Sequence, residues 1–248
     1  MKDLFSSNSD KYKSFRPIYP DEVVKFICSL TPRHKLVWDC GTGNGQLATK
    51  LAQVFSKIEA TDISEKQLAE AVQSDNIHYS LQPAEKTLFK EHSFDLITVA
   101  QAIHWFQFDA FYNEVRRTLK RDGVLAVIGY DLCRVDDQTD ILIDELYKNI
   151  LGKYWDQERR YIDEKYQTIP FPFDEITCPE FEMIHRWNLE EFIGYLSTWS
   201  ALKHYTQFHK TNPLVELENQ LRVMWKDEIK DVRFKILLRI GRPQENYT

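Results

Sequence analysis

VWDCGTGNGQ, residues 37–46, sets three of the chain's eight glycines within five positions, directly behind a short apolar run. The apolar run "HKLVWDC" reads as a buried strand. "GQLATKLAQVF" behind the glycines reads as a helix with Leu47, Leu51 and Val54 on one face. A strand, a tight glycine turn and a helix N-terminus make a nucleotide-like site. Free backbone N–H groups and the positive end of the helix dipole face the ligand, and missing side chains allow close approach. The plainer reading is a turn that only packs helix on strand; three alternating glycines beside a strand-end carboxylate weigh for the cradle. A nicotinamide-binding turn prefers G-x-G-x-x-G, whereas here Gln46 and Leu47 follow Gly45 and the pattern is D-x-G-x-G-x-G. Asp39 would repel a pyrophosphate but can accept hydrogen bonds from an ammonium group. That suits a cofactor carrying an amino acid.

Outward from this turn, strands and helices alternate. "PIYPDEVVKFICSL" reads as a helix, with Pro20 near its first turn and Asp21 and Glu22 at the positive end of its dipole. "KIEATDIS" is a second strand, and Ser64 with Gln67 has the form of a capping box opening a helix through Leu68, Ala71 and Val72. "IHYSL" and "SFDLITVAQ" are further strands, "FDAFYNEVRRTL" a helix and "DGVLAVIGYD" a fifth strand. Short strands that are apolar on both faces imply a parallel sheet covered on both sides, which binds ligands beyond the C-terminal ends of its strands. Asp62, at the end of strand two, is placed to accept both hydroxyls of a ribose; its bland alternative is capping the next helix.

The regular βα units stop near residue 134, where aromatics become dense (Tyr154, Trp155, Tyr161, Phe171, Phe173). Residues 134–180 read as a mainly helical insertion capping the ligand edge. "FEMIHRW" alternates like a strand, "NLEEFIGYLSTWSALKHY" reads as one helix, and "VRFKILLRIGR" as a closing strand. The expected organisation is one domain: an arm and helix over 1–33, a cofactor-binding core over 34–133, the cap over 134–180, and a part completing sheet and cap over 181–248.

At 248 residues, 43% hydrophobic and 28% charged, the chain can bury a core without disulfides or metal. Cys28, Cys40, Cys133 and Cys178 form no C-x-x-C pair, so neither a zinc site nor a disulfide framework is expected. With no membrane-length apolar run, the expectation is a soluble, cytoplasmic protein. A net charge of −6 argues against a nucleic-acid backbone as partner.

At these residues the chain resembles the class I S-adenosylmethionine-dependent methyltransferases. "VWDCGTGNGQLATKLA" is similar to their first motif, "IEATDIS" to the ribose-binding strand end, "LQPAEKTLF" to the adenine-flanking loop and "SFDLITVAQAIHWF" to the fourth-strand motif. "FRPIYP", "AQAIHWF" and "YLSTWSALKHY" resemble the small-molecule branch that includes trans-aconitate methyltransferase-like proteins. The resemblance implies a Rossmann-like, doubly wound, seven-stranded, mostly parallel α/β sheet with an antiparallel last strand and a helical cap. It also implies S-adenosylmethionine as cofactor and S-adenosylhomocysteine as product. Gly41, Thr42 and Gly43 would line the methionine and ribose part, Asp39 would meet the amino group directly or through water, and Asp62 would hold the ribose. Ile63 would lie beside the adenine, Pro83, Ala84 and Glu85 would flank it, Ala84 by backbone hydrogen bonds, and Ala100 and Gln101 would lie near the methionine end. The arm around Tyr12, Arg16 and Tyr19 would close over the cofactor.

Methyl transfer from a sulfonium is an in-line displacement that needs alignment and no metal. A carboxylate nucleophile needs no base, while a hydroxyl or amine is helped by one. His104, just past strand four, is the candidate base or orienting group, with a structural histidine as the alternative. Trp105 would wall the pocket and favour the sulfonium through its π face, unless it is core. Trp199, Ser200 and Tyr205 would shape the acceptor pocket, unless that stripe is only packing. Arg159 and Arg160 together would recognise an acid bidentately, unless they form a solvated face. The implied activity is methylation of a small molecule, with a carboxylate as one acceptor; methylation of protein or RNA, or cofactor binding without turnover, are the other readings.

Overall fold

The strand that feeds the glycine turn, β1 (Leu36–Cys40), pairs in parallel with β2 (Lys57–Asp62) on one side and β4 (Phe94–Ala100) on the other. The computed structural model describes residues 15–226 and 228–244. Among them the sheet continues in parallel from β2 to β3 (Ile77–Leu81) and from β4 to β5 (Leu119–Tyr130). β8 (Lys230–Arg242) then lies antiparallel beside β5, as the closing strand was expected to do. Two short strands pair with β8: β6 (Asp174–Ile176) with its C-terminal end, and β7 (Glu182–Trp187) with its N-terminal half. The expected seven strands are therefore eight, in the order β3-β2-β1-β4-β5-β8-β6 with β7 also on β8. The additional strand, β6, falls inside the segment expected to be mainly helical.

Alternate residues of the central strands enter different cores. Val37, Val124, Ala126 and Ile128 pack with α1 (Asp21–Ser29) and α2 (Gln46–Leu51) on one face. Trp38, Cys40, Leu125 and Val127 pack with α4 (Phe108–Thr118) on the other. This is the two-sided burial that a parallel sheet between helices requires. The register of β4 on β5 shifts between Phe94 and Leu96, and those two residues enter opposite cores although their spacing is even.

Three helical readings need correction. α2 stops at Leu51, so Phe55 fills the core position expected of Val54, which is 40% exposed. The helix after Ser64, α3, spans only Glu65–Ala69 and leaves Val72 half exposed. "NLEEFIGYLSTWSALKHY" is two helices, α7 (Leu189–Leu196) and α8 (Ser200–His209), joined through an extended Trp199. The Ser197 and Thr198 hydroxyls donate to the carbonyls of Gly194 and Tyr195, ending the first helix. Before these, the cap contains α5 (Asp137–Asp144), a π-helical turn and α6 (Arg160–Asp163). A further helix, α9 (Leu214–Trp225), packs against α7 and α5. Among the described residues no helix is long and apolar enough to cross a membrane, and no cluster of potential metal ligands occurs.

Candidate functional site

The turn after β1 is held by its neighbour. The Thr42 N–H donates to the Thr61 carbonyl at 2.9 Å, and the Gly43 N–H to Asp62 Oδ2 at 2.8 Å. Gly41, Gly43 and Gly45 all have left-handed backbone, at φ +66°, +57° and +82°. Their reasons differ. A Cβ on Gly41 would stand 2.7 Å from Ala102 Cβ, and one on Gly45 would overlap the Tyr79 hydroxyl. Gly43 has nothing nearer than Gln67 Oε1, an ordinary contact at 3.7 Å, so there is space for a Cβ without collision.

That space belongs to a cleft of about 860 Å³ at the C-terminal ends of β1, β2 and β4. Gly41, Thr42, Gly43, Asp62, Ile63, Ala100, Gln101, Arg16 and Tyr19 line it, and Trp105 does so as well. Sequence reading missed Gln46, Leu47, Gln67 and Tyr130 in the same lining. The first two directly follow the last glycine, and Tyr130 ends β5, so strand ends carried a usable signal. Tyr12 lies outside the described residues.

Asp62 faces the cleft while both its oxygens accept backbone N–H groups, from Gly43 and, at 2.9 Å, from Ser64. Both oxygens therefore stand at the cleft wall, beside the open end of the glycine turn. Asp39 sits beneath the cleft wall, 1% exposed, with Oδ2 accepting from Thr42 Oγ1 at 2.5 Å and Oδ1 from Thr98 Oγ1 at 2.7 Å. Burial pushes its carboxyl up to about 6; the two hydroxyls oppose the shift and the nearby Asp62 charge adds to it. Pro83, Ala84 and Glu85 are not in the cleft lining. Ala84 is 3% exposed in the core around Trp38 and Ile103, and Glu85 accepts the Gln107 N–H at 3.1 Å at the start of α4.

A second cavity, of about 560 Å³, adjoins the first. Arg16, Gln101 and Trp105 line both, so these side chains form the partition. His104, Trp199 and Ser200 line the second cavity, together with Trp155, Asp156, Arg159 and Tyr195 from the cap. Tyr205 does not: its ring packs 5.1 Å from Tyr154 and 4.3 Å from His209. The Arg159-Arg160 pair is also split, because consecutive helical residues do not face the same way. Arg160 lies over Tyr161 at 4.8 Å, whereas Arg159 stacks 4.8 Å over Trp155 and donates Nε–H to Tyr147 Oη at 2.7 Å. Arg16 donates to Tyr130 Oη at 2.7 Å.

The second cavity is thus walled by aromatics and holds two guanidinium groups, Arg16 and Arg159, and one carboxylate, Asp156; Arg159 Nε also lies 3.7 Å from Asp163 Oδ1. Burial first, then the Arg159 and Arg16 charges, push the His104 imidazole down to about 3, so it is neutral at pH 7. Its Nδ1 lies 3.4 Å from Tyr166 Oη. A neutral imidazole of such low basicity is a hydrogen-bonding group and a weak general base.

A family model described as "Methyltransferase domain" matches residues 38–127, from β1 through most of β5. A Dictyostelium discoideum protein that bears the name methyltransferase is 33% identical over 251 residues, covering 98% of this chain and 95% of the relative. A Saccharomyces cerevisiae protein, CRG1, named an S-adenosylmethionine-dependent methyltransferase, is 26% identical over 83% of this chain and 82% of its own length. Among solved structures, one named for a type II methyltransferase from Anaeromyxobacter dehalogenans superposes with a TM-score of 0.87 at 36% identity, covering 93% of this chain and all of that one.

Proposed function

Because the chain belongs to the class I S-adenosylmethionine-dependent methyltransferases, we propose that it methylates a small acidic molecule seated in the second cavity. The observation that carries this reading is the shared partition: Arg16, Gln101 and Trp105 wall both the glycine-turn cleft and a cavity holding Arg159. When bound, S-adenosylmethionine supplies an electrophilic methyl group, which an acceptor oxygen takes in line with the departing sulfur, leaving S-adenosylhomocysteine.

The cleft suits such a cofactor because Gly43 leaves room beside the turn, and because the Asp62 carboxylate, an acceptor of the kind that ribose hydroxyls require, lines it at the end of β2. Gly41 and Thr42 line the methionine side, Ile63 lies toward the adenine, and Asp39 places negative charge below the ammonium group. Arg16 and Tyr19 wall the cleft from the N-terminal segment. Trp105 presents an aromatic face beside a sulfonium.

Arg159 supports an anionic acceptor: its Nε is engaged by Tyr147 and lies 3.7 Å from Asp163, and the residue lines the cavity with Trp155 and Trp199. A carboxylate attacks without losing a proton, so the neutral His104 is no obstacle to O-methylation. Four cysteines without a disulfide fit a reducing, cytoplasmic setting.

Calorimetry with S-adenosylmethionine tests the cofactor site: micromolar binding that weakens about tenfold or more in Asp62→Ala is expected. Unaltered affinity in that variant would remove the ribose assignment. Radiolabelled methyl transfer to panels of small acids, phenols and amines tests the acceptor; label in phenols or amines with none in acids would overturn the carboxylate reading.

A further inference from the structure

Tyr166 comes from the cap, yet it is wholly buried, in the core cluster that holds Trp38 and Ile103. Its position is held against cost. Lys165 and Tyr166 both have left-handed backbone, at φ +53° and +61°, a conformation that non-glycine residues adopt in succession only when their surroundings compel it. The surroundings are visible. Arg239 Nη1 donates to the Tyr166 and Ile169 carbonyls at 3.0 and 2.7 Å, and the Tyr166 N–H donates to the Tyr161 carbonyl at 2.7 Å. Opposite the ring stands Gly129 of β5, where a Cβ would lie 2.6 Å from the Tyr166 ring edge. A strained turn and a strand glycine together admit one phenol at this spot.

The phenol oxygen lies 3.2 Å from Gln101 Oε1 and 3.4 Å from His104 Nδ1. The Gln101 amide is oriented by its Nε2, which donates to the Tyr130 carbonyl at 3.3 Å, so Oε1 is the atom that meets Tyr166. A carboxamide oxygen only accepts, and the phenol has a single proton. Were that proton given to His104, two oxygens 3.2 Å apart would face each other in a buried site without a hydrogen between them. The satisfied arrangement runs in one direction, from His104 Nδ1–H to Tyr166 Oη–H to Gln101 Oε1.

From this chain we infer that Tyr166 is a positioning residue that fixes the tautomer of His104, holding the proton on Nδ1 and leaving Nε2 as a lone pair in the second cavity. A cavity occupant must then meet Nε2 with an O–H or N–H donor, so the anionic acceptor carries such a donor beside the group that meets Arg159. That consequence rests on the proposed function; the tautomer does not.

The test is nitrogen-resolved NMR of histidine-labelled full-length protein at pH 7, which needs neither turnover nor ligand. In the wild type, His104 is expected to show a protonated Nδ1 and an unprotonated Nε2. Tyr166→Phe removes the acceptor and shifts His104 toward the Nε2–H form. Gln101→Met frees the phenol proton for Nδ1 and inverts the tautomer without touching Tyr166. An Nε2–H histidine in the wild type, or an unchanged tautomer in folded Gln101→Met, would overturn the inference. A failure of the methyl-transfer screen would leave these spectra untouched.

Discussion

Gly45 and Tyr79 compete for one position: a Cβ on Gly45 would overlap the Tyr79 hydroxyl, which donates to the Val72 carbonyl at 2.9 Å. β3 thus braces the glycine turn of β1 from two strands away. Gly45→Ala adds this overlap to the left-handed strain of a φ near +82° and is expected to cost about 1–3 kcal/mol of stability. Denaturant unfolding measures it. Tyr79→Phe in the same chain should return part of the loss, because it removes the atom in conflict. Additive effects of the two substitutions would show that the collision is relieved elsewhere.

Gly43 answers to a different constraint. With only an ordinary contact to Gln67 Oε1 where its side chain would be, Gly43→Ala carries the conformational strain, about 1 kcal/mol, and little collision. The added methyl enters the cleft. The expected pattern is a crossing of two rankings: Gly45→Ala loses more stability, and Gly43→Ala loses more affinity for S-adenosylmethionine, by about tenfold or more. Unfolding curves and calorimetry on both variants decide it.

These contrasts mark what was legible in the sequence. The cleft residues from Gly41 to Gly43, with Asp62, Ala100 and Gln101, sit at strand ends, and strand order fixes where such ends meet; a local pattern therefore locates them. Asp39 was legible as a charge but not as a buried one, since its burial depends on Thr98 from another strand. Side-chain placement in the loop was not legible: the Ala84 methyl turns into the core, and the Glu85 carboxylate accepts at the start of α4. The cap was readable only as an aromatic region. Trp199 and Ser200 reach the second cavity and Tyr205 does not, because a helix break at residues 197–199 resets the face that periodicity would have assigned. Tyr166 carried no signal at all: its place depends on backbone strain, on Arg239 and on a glycine in another element.

Arg159 and Arg160 are neighbours with opposite fates. If the acceptor is an acid held by Arg159, Arg159→Gln is expected to lower kcat/KM for that acid by about 10- to 100-fold, the scale of one charge-assisted hydrogen bond. Arg160→Gln, on an exposed side chain over Tyr161, should leave it within twofold, roughly the noise of surface substitutions. With His104 held near 3, the pH profile for a carboxylate acceptor should show no histidine inflection between pH 5 and 8. Equal losses in the two arginine variants would count against the assignment.

Asp39 makes pH a probe of the cofactor site. Its carboxyl is raised from an ordinary 3.8 to about 6 by burial, so the folded protein binds a proton that the unfolded chain releases between those values. Folding stability from this group is complete below pH 3.8 and is lost as pH rises through about 6, a penalty of about 2–3 kcal/mol above it. Binding runs the other way. An ammonium group above Asp39 favours the ionised carboxylate, so affinity for S-adenosylmethionine should rise up to about tenfold per unit as pH climbs from 5 toward 6, and level off above. Asp39→Asn, which keeps the shape and removes the titration, is expected to flatten both curves and to bind more weakly at pH 7. Calorimetry and denaturant unfolding across pH 5–8 separate the two effects. An affinity curve that keeps its slope in Asp39→Asn would place the titrating group elsewhere and remove Asp39 from the recognition of the ammonium end.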